Sequence, residues 1–194
     1  MIECSLGDIV IDLFCEQARQ ASMNFLKLCK LKFYNNSLVT DLQKGHVCKV
    51  GHFDRKSTSI FEYPHMTPRV LHGPERRFFK DEIQPDFKIR KKGLIGTANN
   101  GPNMNTSDVS SWLTKFFITL TDEHLQALNG KHTIFGIVVE GLDVLDKLSR
   151  IYVDQNNRPL VNIRIFHTLI LEDPFEDLEG MQVPDRSPEP AVNV

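Results

Sequence analysis

The residues most able to do chemistry in this sequence are concentrated in one stretch, Thr97–Ser107, which reads TANNGPNMNTS. Four asparagines, a glycine and a proline stand there between the apolar runs KGLIG and KFFITL. Residues of these types leave a strand, turn the chain and display backbone N–H and C=O groups. The stretch therefore indicates a loop that can hold a ligand through its main chain. The alternative is a connector without a ligand.

Histidine is the other residue type that could take part in chemistry, but the spacing of the histidines does not indicate a metal site. The chain has seven histidines, and His46, His52, His65 and His72 are irregularly spaced, with no carboxylate or thiolate at ligand spacing. The sequence offers no serine–histidine arrangement with a nucleophile elbow. We therefore expect no metal and no cofactor.

The elements that must position the loop are mostly short strands. The turn signal LGD separates two alternating runs at the N-terminus, which predicts a hairpin. Further strands are predicted at SLVTD, HVCKV, GLIGTA, KFFITL, TIFGIVV and, as one long last strand, VNIRIFHTLILE.

Two helices are predicted. The first runs from Glu16 to about Lys32, and its apolar positions share one face: Ala18, Ala21, Phe25, Leu28 and Cys29. Its lysines Lys27, Lys30 and Lys32 lie toward the C-terminus, where cations complement the helix dipole. The second helix is GLDVLDKLSR. Two helices are too few for βαβ crossovers, so the pattern favours an antiparallel barrel or sandwich with helices at its ends.

Composition limits the classes of partner. The net charge of −2 argues against a large nucleic-acid footprint, and the basic trio Arg90–Lys92 alone is typical of a solvated turn. The four cysteines show no paired spacing and predict free thiols in a reducing compartment. No apolar run approaches the roughly 20 residues of a membrane span. We expect an intracellular, soluble protein.

The C-terminal residues differ from the rest in charge. Residues 172–194 contain seven acids and one base, whereas the preceding 171 residues contain 22 bases and 18 acids, about +4. Acids and prolines with little periodicity are typical of disorder. The sequence therefore predicts one domain over residues 1–174 and a disordered tail or linker over residues 175–194.

Several motifs resemble the cyclophilins, the cyclosporin-binding peptidyl-prolyl cis-trans isomerases. KHTIFGIVVEGLDVLDKL, GTANNGPNMN and FFIT carry the resemblance, which extends from Met1 to about Pro174. It implies a mainly β fold, a closed eight-stranded antiparallel barrel capped by two α-helices. It also implies a groove on the outer face of the barrel, in which the loop pairs with an extended peptide while a proline ring enters an apolar pocket.

Other motifs are similar to one subgroup, in which a cyclophilin domain precedes an RNA-recognition motif: NFLKLCKLKFYN, FFKDEI, NRPLVNIRIFHTLILEDPFED and PDRSPEP. This chain has no RNP-type aromatic signature, so we expect no direct nucleic-acid binding from it. The subgroup implies a nuclear protein with partners in spliceosome or transcription complexes. We expect a monomer.

Half of the groove matches the family's pattern. Ala98 and Asn99, with their neighbour Asn100, match the loop that pairs with peptide backbone; Phe117 matches the pocket floor, and Leu128 and His132 match its far side. The other half departs from it. Asp41 falls on the catalytic arginine, and the remaining departures are His46 for a phenylalanine, Val47 for a methionine, Lys49 and Lys115 for glutamines, and Ala127 for a tryptophan.

The departure at Asp41 bears directly on activity. Rotation about an X–Pro bond needs no nucleophile or metal, but the family's arginine donates a hydrogen bond toward the prolyl nitrogen. An ionised carboxylate accepts hydrogen bonds and donates none. Losing one preorganised donor costs on the order of 10²–10³ in rate. The resemblance therefore implies a protein that binds proline-containing peptide segments with weak or lost isomerase activity; the alternative is an active isomerase.

Two insertions lengthen loops of the family pattern. Glu62–Arg69 follows SIF, and Asp108–Thr114 separates the groove loop from KFFIT. The second insertion contains the only tryptophan, Trp112. We interpret it as a surface loop that alters access to the groove; the alternative is that Trp112 restores an aromatic wall.

Overall fold

Eight antiparallel strands wrap into a nearly closed barrel in the computed structural model of the protein, which describes residues 1–51, 78–106, 115–178 and 181–187. The barrel strands are β1 (Ile2–Cys4), β2 (Gly7–Leu13), β3 (Leu38–Gln43), β4 (Val47–Gly51), β6 (Leu94–Thr97), β8 (Lys115–Thr119), β9 (Ile134–Glu140) and β10 (Ile165–Thr168). Two further short strands, β5 (Phe78–Phe79) and β7 (Asn105–Thr106), pair with each other beside it.

The order of strands around the barrel is β10-β1-β2-β9-β6-β8-β4-β3. Its two edge strands meet at the bridge between Leu38 and Arg164, with the N–H of Ile165 donating to the carbonyl of Ser37 at 2.9 Å. This contact brings the two edge strands together, so less strand edge is left on which other chains could add. The predicted antiparallel barrel is confirmed.

Two α-helices cap the barrel, as predicted: α1 (Arg19–Lys30) and α2 (Leu142–Arg150). The apolar positions identified from spacing are all buried, and Phe25 of α1 contacts the rings of Tyr34, Phe116 and Phe135. The carboxylate of Glu82 accepts the backbone N–H groups of Gln20 and Ala21 at 2.9 and 2.8 Å. It therefore satisfies amides at the start of α1 that have no partner within the helix.

A second, smaller apolar cluster lies on the outside of the barrel. Along β8, Phe116 and Ile118 face the main core while Phe117 faces outward, because side chains alternate along a strand. Phe117 joins Val47, Ile89, Leu94, Leu125 and Ile134 in this outer cluster. The barrel wall thus carries apolar side chains on both faces at this point, which is where a ligand pocket can form.

The last strand is shorter than the sequence predicts. Regular pairing covers only Ile165–Thr168, because its partner β1 has just three residues, and Leu171 is 70% exposed beyond it. The strands β5 and β7 were not predicted, since two residues are too few to show a period. All four cysteines are free. Among the described residues, no helix is long and apolar enough to cross a membrane.

The residues after Pro174 have contacts that the expected disordered tail did not include. Phe175 is buried, Leu178 and Met181 pack against the main core, and Lys32 Nζ donates to the carbonyl of Asp185 at 2.7 Å. Lys27, predicted only to lie toward the C-terminus of the helix, has a fully buried side chain that pairs with this segment. The domain boundary at residue 174 stays a prediction. The insertion Glu62–Arg69 lies outside the described residues.

Candidate functional site

The candidate site residues come from four separate parts of the sequence, and the structure brings them together in one groove of about 380 Å³. The groove is lined by Asp41, His46, Val47, Lys49, Ala98, Asn99, Asn100, Lys115, Phe117, Leu128 and His132, together with Thr40 and Gln43. Thr40 and Gln43 were not predicted. Gln43 could have been found, because it lies two residues from Asp41 on the same strand and therefore faces the same side.

The floor of the groove is the ring of Phe117, and a glycine makes room for it. A Cβ at Gly96 would lie 2.5 Å from Cζ of Phe117 and 2.8 Å from Cδ1 of Ile134. Gly96 pairs directly with Phe117 across β6 and β8. Only a residue without a side chain lets the aromatic ring lie flat across the neighbouring strand, so Gly96 is required for the position of the floor.

His132 closes the far side of the apolar part. Its ring packs edge-on against Phe117, with centroids 5.3 Å apart, and its Nδ1 donates to the carbonyl of Thr97 at 3.0 Å. A carbonyl only accepts, so this bond fixes the proton on Nδ1. Burial lowers the pKa of His132 below its ordinary value, although the bond to Thr97 works in the opposite direction. His132 is therefore neutral at pH 7.

The asparagine-rich loop is held by a carboxylate behind it. Asp81 accepts the backbone N–H of Asn103 and the side-chain amide of Asn105, each at 2.7 Å, and the amide of Asn99 at 3.3 Å. Asn99 also donates to the carbonyl of Lys131 at 2.7 Å. The asparagine side chains thus stiffen the loop, which leaves the task of holding a ligand to its backbone.

Asn99 provides the backbone position that a peptide could use. The N–H of Ala98 donates to the carbonyl of Lys115, and that of Asn100 to the carbonyl of Met104. Within the described part of the chain, neither the N–H nor the C=O of Asn99 forms a hydrogen bond. Both groups of one residue are what an extended peptide needs to form a pair of β-type hydrogen bonds.

The opposite end of the groove is polar. Asp41 and Lys49 face each other directly in the pairing of β3 with β4, and Lys49 Nζ lies 2.7 Å from Asp41 Oδ2. Gln43 Nε2 donates to the same oxygen at 3.1 Å, and His46 Nδ1 donates to Gln43 Oε1 at 3.3 Å. The carboxylate is therefore held by donors from β3 and β4 at the edge of the pocket.

Lys115 adds a second cation to the groove, at the start of β8. Burial and the nearby charge of Lys49 lower the pKa of Lys115, while Asp41 opposes them. Ala127, the residue at the family's tryptophan position, is exposed on the short 3₁₀ turn Gln126–Leu128 and does not line the groove. Trp112 and the insertion Asp108–Thr114 lie outside the described residues.

Comparison with known proteins agrees with this geometry. Residues 1–169 match the family described as cyclophilin type peptidyl-prolyl cis-trans isomerase/CLD. The chain belongs to the cyclophilin family. It is 40% identical over 193 residues to human peptidyl-prolyl cis-trans isomerase-like 4, and 43% identical over 182 residues to peptidyl-prolyl cis-trans isomerase CYP59 of Arabidopsis thaliana.

The chain spans about a third of the length of these two relatives. The match covers 98% of the chain but 36% of the human protein, and 91% of the chain but 33% of the Arabidopsis protein. Among solved structures, a cyclophilin type isomerase of Cryptosporidium parvum superposes with a TM-score of 0.70 at 31% identity, covering 89% of this chain and 96% of that one. A second structure of that protein, in the presence of the dipeptide Ala-Pro, gives a TM-score of 0.69 at 30% identity, with coverage of 89% and 98%.

The structure shows how the predicted groove residues are arranged. Phe117, His132 and the backbone of Asn99 line one part of the groove, and the pair of Asp41 and Lys49 forms its polar end. Among the described residues, no group of three or more possible metal ligands is present.

Proposed function

We propose that this cyclophilin binds proline-containing peptide segments in the groove and isomerises them weakly or not at all. The observation that carries the proposal is the pairing of Asp41 with Lys49 at 2.7 Å. The resemblance assigns the family's hydrogen-bond donor to position 41, where this chain has a carboxylate.

Binding needs the parts of the groove that are intact. An extended peptide would pair with the backbone of Asn99, and its proline ring would rest on Phe117 between Leu128 and His132. Phe117 is 2% exposed and Val47 3%, so both side chains are held by packing and would lose little freedom on binding. Burying a proline ring there removes apolar surface from water, which supplies the favourable free energy.

Isomerisation requires a hydrogen-bond donor at the prolyl nitrogen in addition to a binding surface, and the groove is poorly suited to supply one. The barrier to rotation is about 18–20 kcal/mol because the amide is resonance-stabilised. A site lowers it by binding the twisted amide better than the planar one, for example by donating a hydrogen bond to the prolyl nitrogen as it becomes pyramidal. Asp41 accepts and cannot donate, and it also draws the ammonium group of Lys49 to itself.

A second candidate function is an active isomerase, and one observation favours it. Lys49 and Lys115 both line the groove, and an ammonium group is a hydrogen-bond donor. Either lysine could supply the donor that Asp41 cannot. The preference for the first candidate rests on the pairing of Lys49 with Asp41 and on the absence of a tryptophan from the described lining of the pocket.

Two measurements on the same sample separate the candidates. Titration of ¹⁵N-labelled protein with an Ala-Pro-containing peptide should shift the signals of Asn99, Phe117 and His132, which establishes binding in the groove. A protease-coupled isomerase assay should then give a kcat/KM at least about 100-fold below that of a complete cyclophilin. A value within tenfold of the complete enzyme would establish the second candidate, and no shifts with any proline peptide would remove both.

The cellular setting is a separate part of the proposal. The motifs shared with the subgroup that carries an RNA-recognition motif support a nuclear protein that acts with spliceosome or transcription-complex proteins. Fluorescence microscopy of the full-length protein tests the compartment, and affinity purification from nuclear extract tests the partners. A cytosolic signal, or the same partners with a groove variant such as Phe117→Ala, would contradict a role of the groove in that setting.

A further inference from the structure

The part of the groove that the structure describes is lined by two cations, Lys49 and Lys115, and one anion, Asp41. This gives a formal net charge of +1 when the histidines are not counted. The carboxylate of Asp41 is already engaged by Lys49 and Gln43. Asp81 stands behind the loop wall, where its oxygens accept hydrogen bonds from three asparagines.

The two lysines flank the pocket floor on the same face of the sheet. Lys49 lies directly opposite Phe117 in the pairing of β4 with β8, and Lys115 lies two residues before Phe117 on β8. Side chains two residues apart on a strand share a face and are about 7 Å apart. Lys49 and Lys115 are therefore diagonal neighbours across the two strands, close enough for their charges to interact.

The two ammonium groups repel each other, and Lys115 is half-buried. Burial and the charge of Lys49 lower the pKa of Lys115, while the charge of Asp41 opposes them. A bound anion would attract both ammonium groups and offset their mutual repulsion. Peptide backbone and proline ring, which are uncharged, would leave that repulsion in place.

We propose that Lys49 and Lys115 make the groove select proline peptides with an anionic side chain, a carboxylate or a phosphorylated serine or threonine, within two residues of the proline. This inference rests on the proposed function, because it takes the proline ring to lie on Phe117. An extended peptide advances about 3.3 Å per residue, so a side chain one or two residues from the proline spans the distance to Lys115.

The experiment is an anion scan on one short peptide. Fluorescein-labelled peptides with a single proline carry glutamate, phosphoserine, serine or lysine at each of the two positions before and after it, and their Kd values are measured by anisotropy. At the best position we expect phosphoserine to bind about tenfold more tightly than serine, and lysine to bind more weakly than serine. Raising the salt should reduce the advantage of phosphoserine.

Variants assign the effect to the groove. Lys115→Gln should remove most of the phosphoserine advantage, measured as the ratio of the Kd values of the serine and phosphoserine peptides. Lys115→Arg should retain that ratio because the charge is kept. Lys88→Gln is the matched control, since Lys88 is exposed and does not line the groove.

The possible results distinguish failure of the selectivity for anionic peptides from failure of the proposed binding of proline peptides. Equal affinities for serine and phosphoserine peptides, with groove signals shifting for both, would overturn the selectivity and leave the proposed function standing. A phosphoserine advantage that survives Lys115→Gln would also overturn it, since the anion would then bind elsewhere. If no proline peptide shifts the signals of Asn99 and Phe117, the proposed function fails, and the selectivity with it. Glutamate and phosphoserine arms that behave alike would assign the selectivity to charge, whereas phosphoserine alone would assign it to the phosphate.

Discussion

The side-chain nitrogen of Lys27 is fully buried and lies 2.9 Å from Oδ1 of Asp177, a residue 150 positions later in the chain. The same nitrogen lies 3.0 Å from Oδ2 of Asp173 and 2.8 Å from the carbonyl oxygen of Phe175. An ammonium group has three donors, and each has an acceptor here. All three acceptors belong to one short stretch, so Lys27 fastens the chain after the barrel onto α1.

Replacing Lys27 should therefore destabilise the fold. Lys27→Met keeps the length of the side chain but leaves the carbonyl of Phe175 without this donor and the two carboxylates with Lys30 alone. We expect a loss on the order of 3 kcal/mol in the free energy of unfolding, measured by urea denaturation. Lys30→Met is the control, because Lys30 contacts the same carboxylates from a more exposed position and should cost less. An equal loss in both variants would show that burial of Lys27 is not the reason.

The same cluster predicts a dependence of stability on pH. Burial alone would raise the pKa of Asp173, but hydrogen bonds from Lys27, the N–H of Phe175 and Lys30 outweigh it and lower the pKa. Hydrogen bonds from Lys30 and Lys27 lower the pKa of Asp177. A carboxyl group with a lowered pKa in the folded state stabilises the fold fully above its unfolded pKa of about 3.9, and this contribution is lost as the pH falls through the folded value.

We therefore expect the free energy of unfolding to fall below about pH 4. Lys27→Met should show a smaller fall over the same range, since the lowered pKa values depend partly on that lysine. Urea denaturation of both proteins at half-unit steps between neutral and acidic pH provides the comparison. Parallel curves would mean that other carboxyl groups cause the acid sensitivity.

The sequence allowed most strands and both helices to be predicted because they depend on local patterns, whereas the closed barrel and the groove were expected from the motif resemblance. Alternation marked the barrel strands, helical spacing marked the buried face of α1, and the motif resemblance selected the residues that line the groove. What could not be predicted depends on contacts between distant segments. Lys27 reads as an ordinary cation near a helix C-terminus, and only the return of residues 173–177 to α1 explains its burial.

The contact between Asp41 and Lys49 is another feature that could not be predicted from the sequence, although the two residues are only eight positions apart. Asp41 and Lys49 could be assigned to the groove from the sequence, but their contact depends on strand register, and a shift between Val39 and Asp41 interrupts that register. A one-residue slip would move a side chain to the other face of the sheet. From the sequence, Lys49 can be identified only as a departure from the family's glutamine. The structure shows that it pairs with the carboxylate of Asp41.

Gly96→Ala should damage the groove floor. The added methyl group would lie 2.5 Å from Cζ of Phe117, so the ring or the strand must move, at a cost of about 1–3 kcal/mol. We expect altered NMR signals for Phe117 and His132 and weaker binding of a proline peptide. Gly141→Ala is the control, because Gly141 has φ +85° and packs against Asp8, away from the groove. That variant should lose stability while its groove signals stay unchanged.

Cyclosporin should bind weakly or undetectably. The resemblance implies that this ligand relies on an arginine and a tryptophan, and it assigns the first position to Asp41 and the second to Ala127, which is exposed. Isothermal titration calorimetry with a complete cyclophilin as the positive control provides the measurement. A sub-micromolar Kd would contradict the prediction and would indicate that Trp112 has taken the place of the missing tryptophan.

Restoring the arginine alone should recover little isomerase activity. Asp41→Arg introduces a donor, but it places a second cation directly opposite Lys49 and removes the carboxylate that holds that lysine. Like charges at directly opposed positions of two strands repel, so the new side chain would turn away from the prolyl nitrogen. His46 and Ala127 would still leave the proline ring with less apolar contact than a complete pocket provides.

The double variant Asp41→Arg/Lys49→Gln separates repulsion from the missing contacts. It removes the opposing cation and restores the family's residue type at both positions, so its kcat/KM in the protease-coupled assay should exceed that of Asp41→Arg by about tenfold. It should still fall short of a complete cyclophilin, because the apolar side of the pocket is unchanged. Asp41→Asn/Lys49→Gln serves as the control, since it removes both charges without adding a guanidinium, and it should show no comparable gain. If Asp41→Arg alone reached the activity of a complete cyclophilin, neither the charge of Lys49 nor the residues at positions 46 and 127 would limit the reaction.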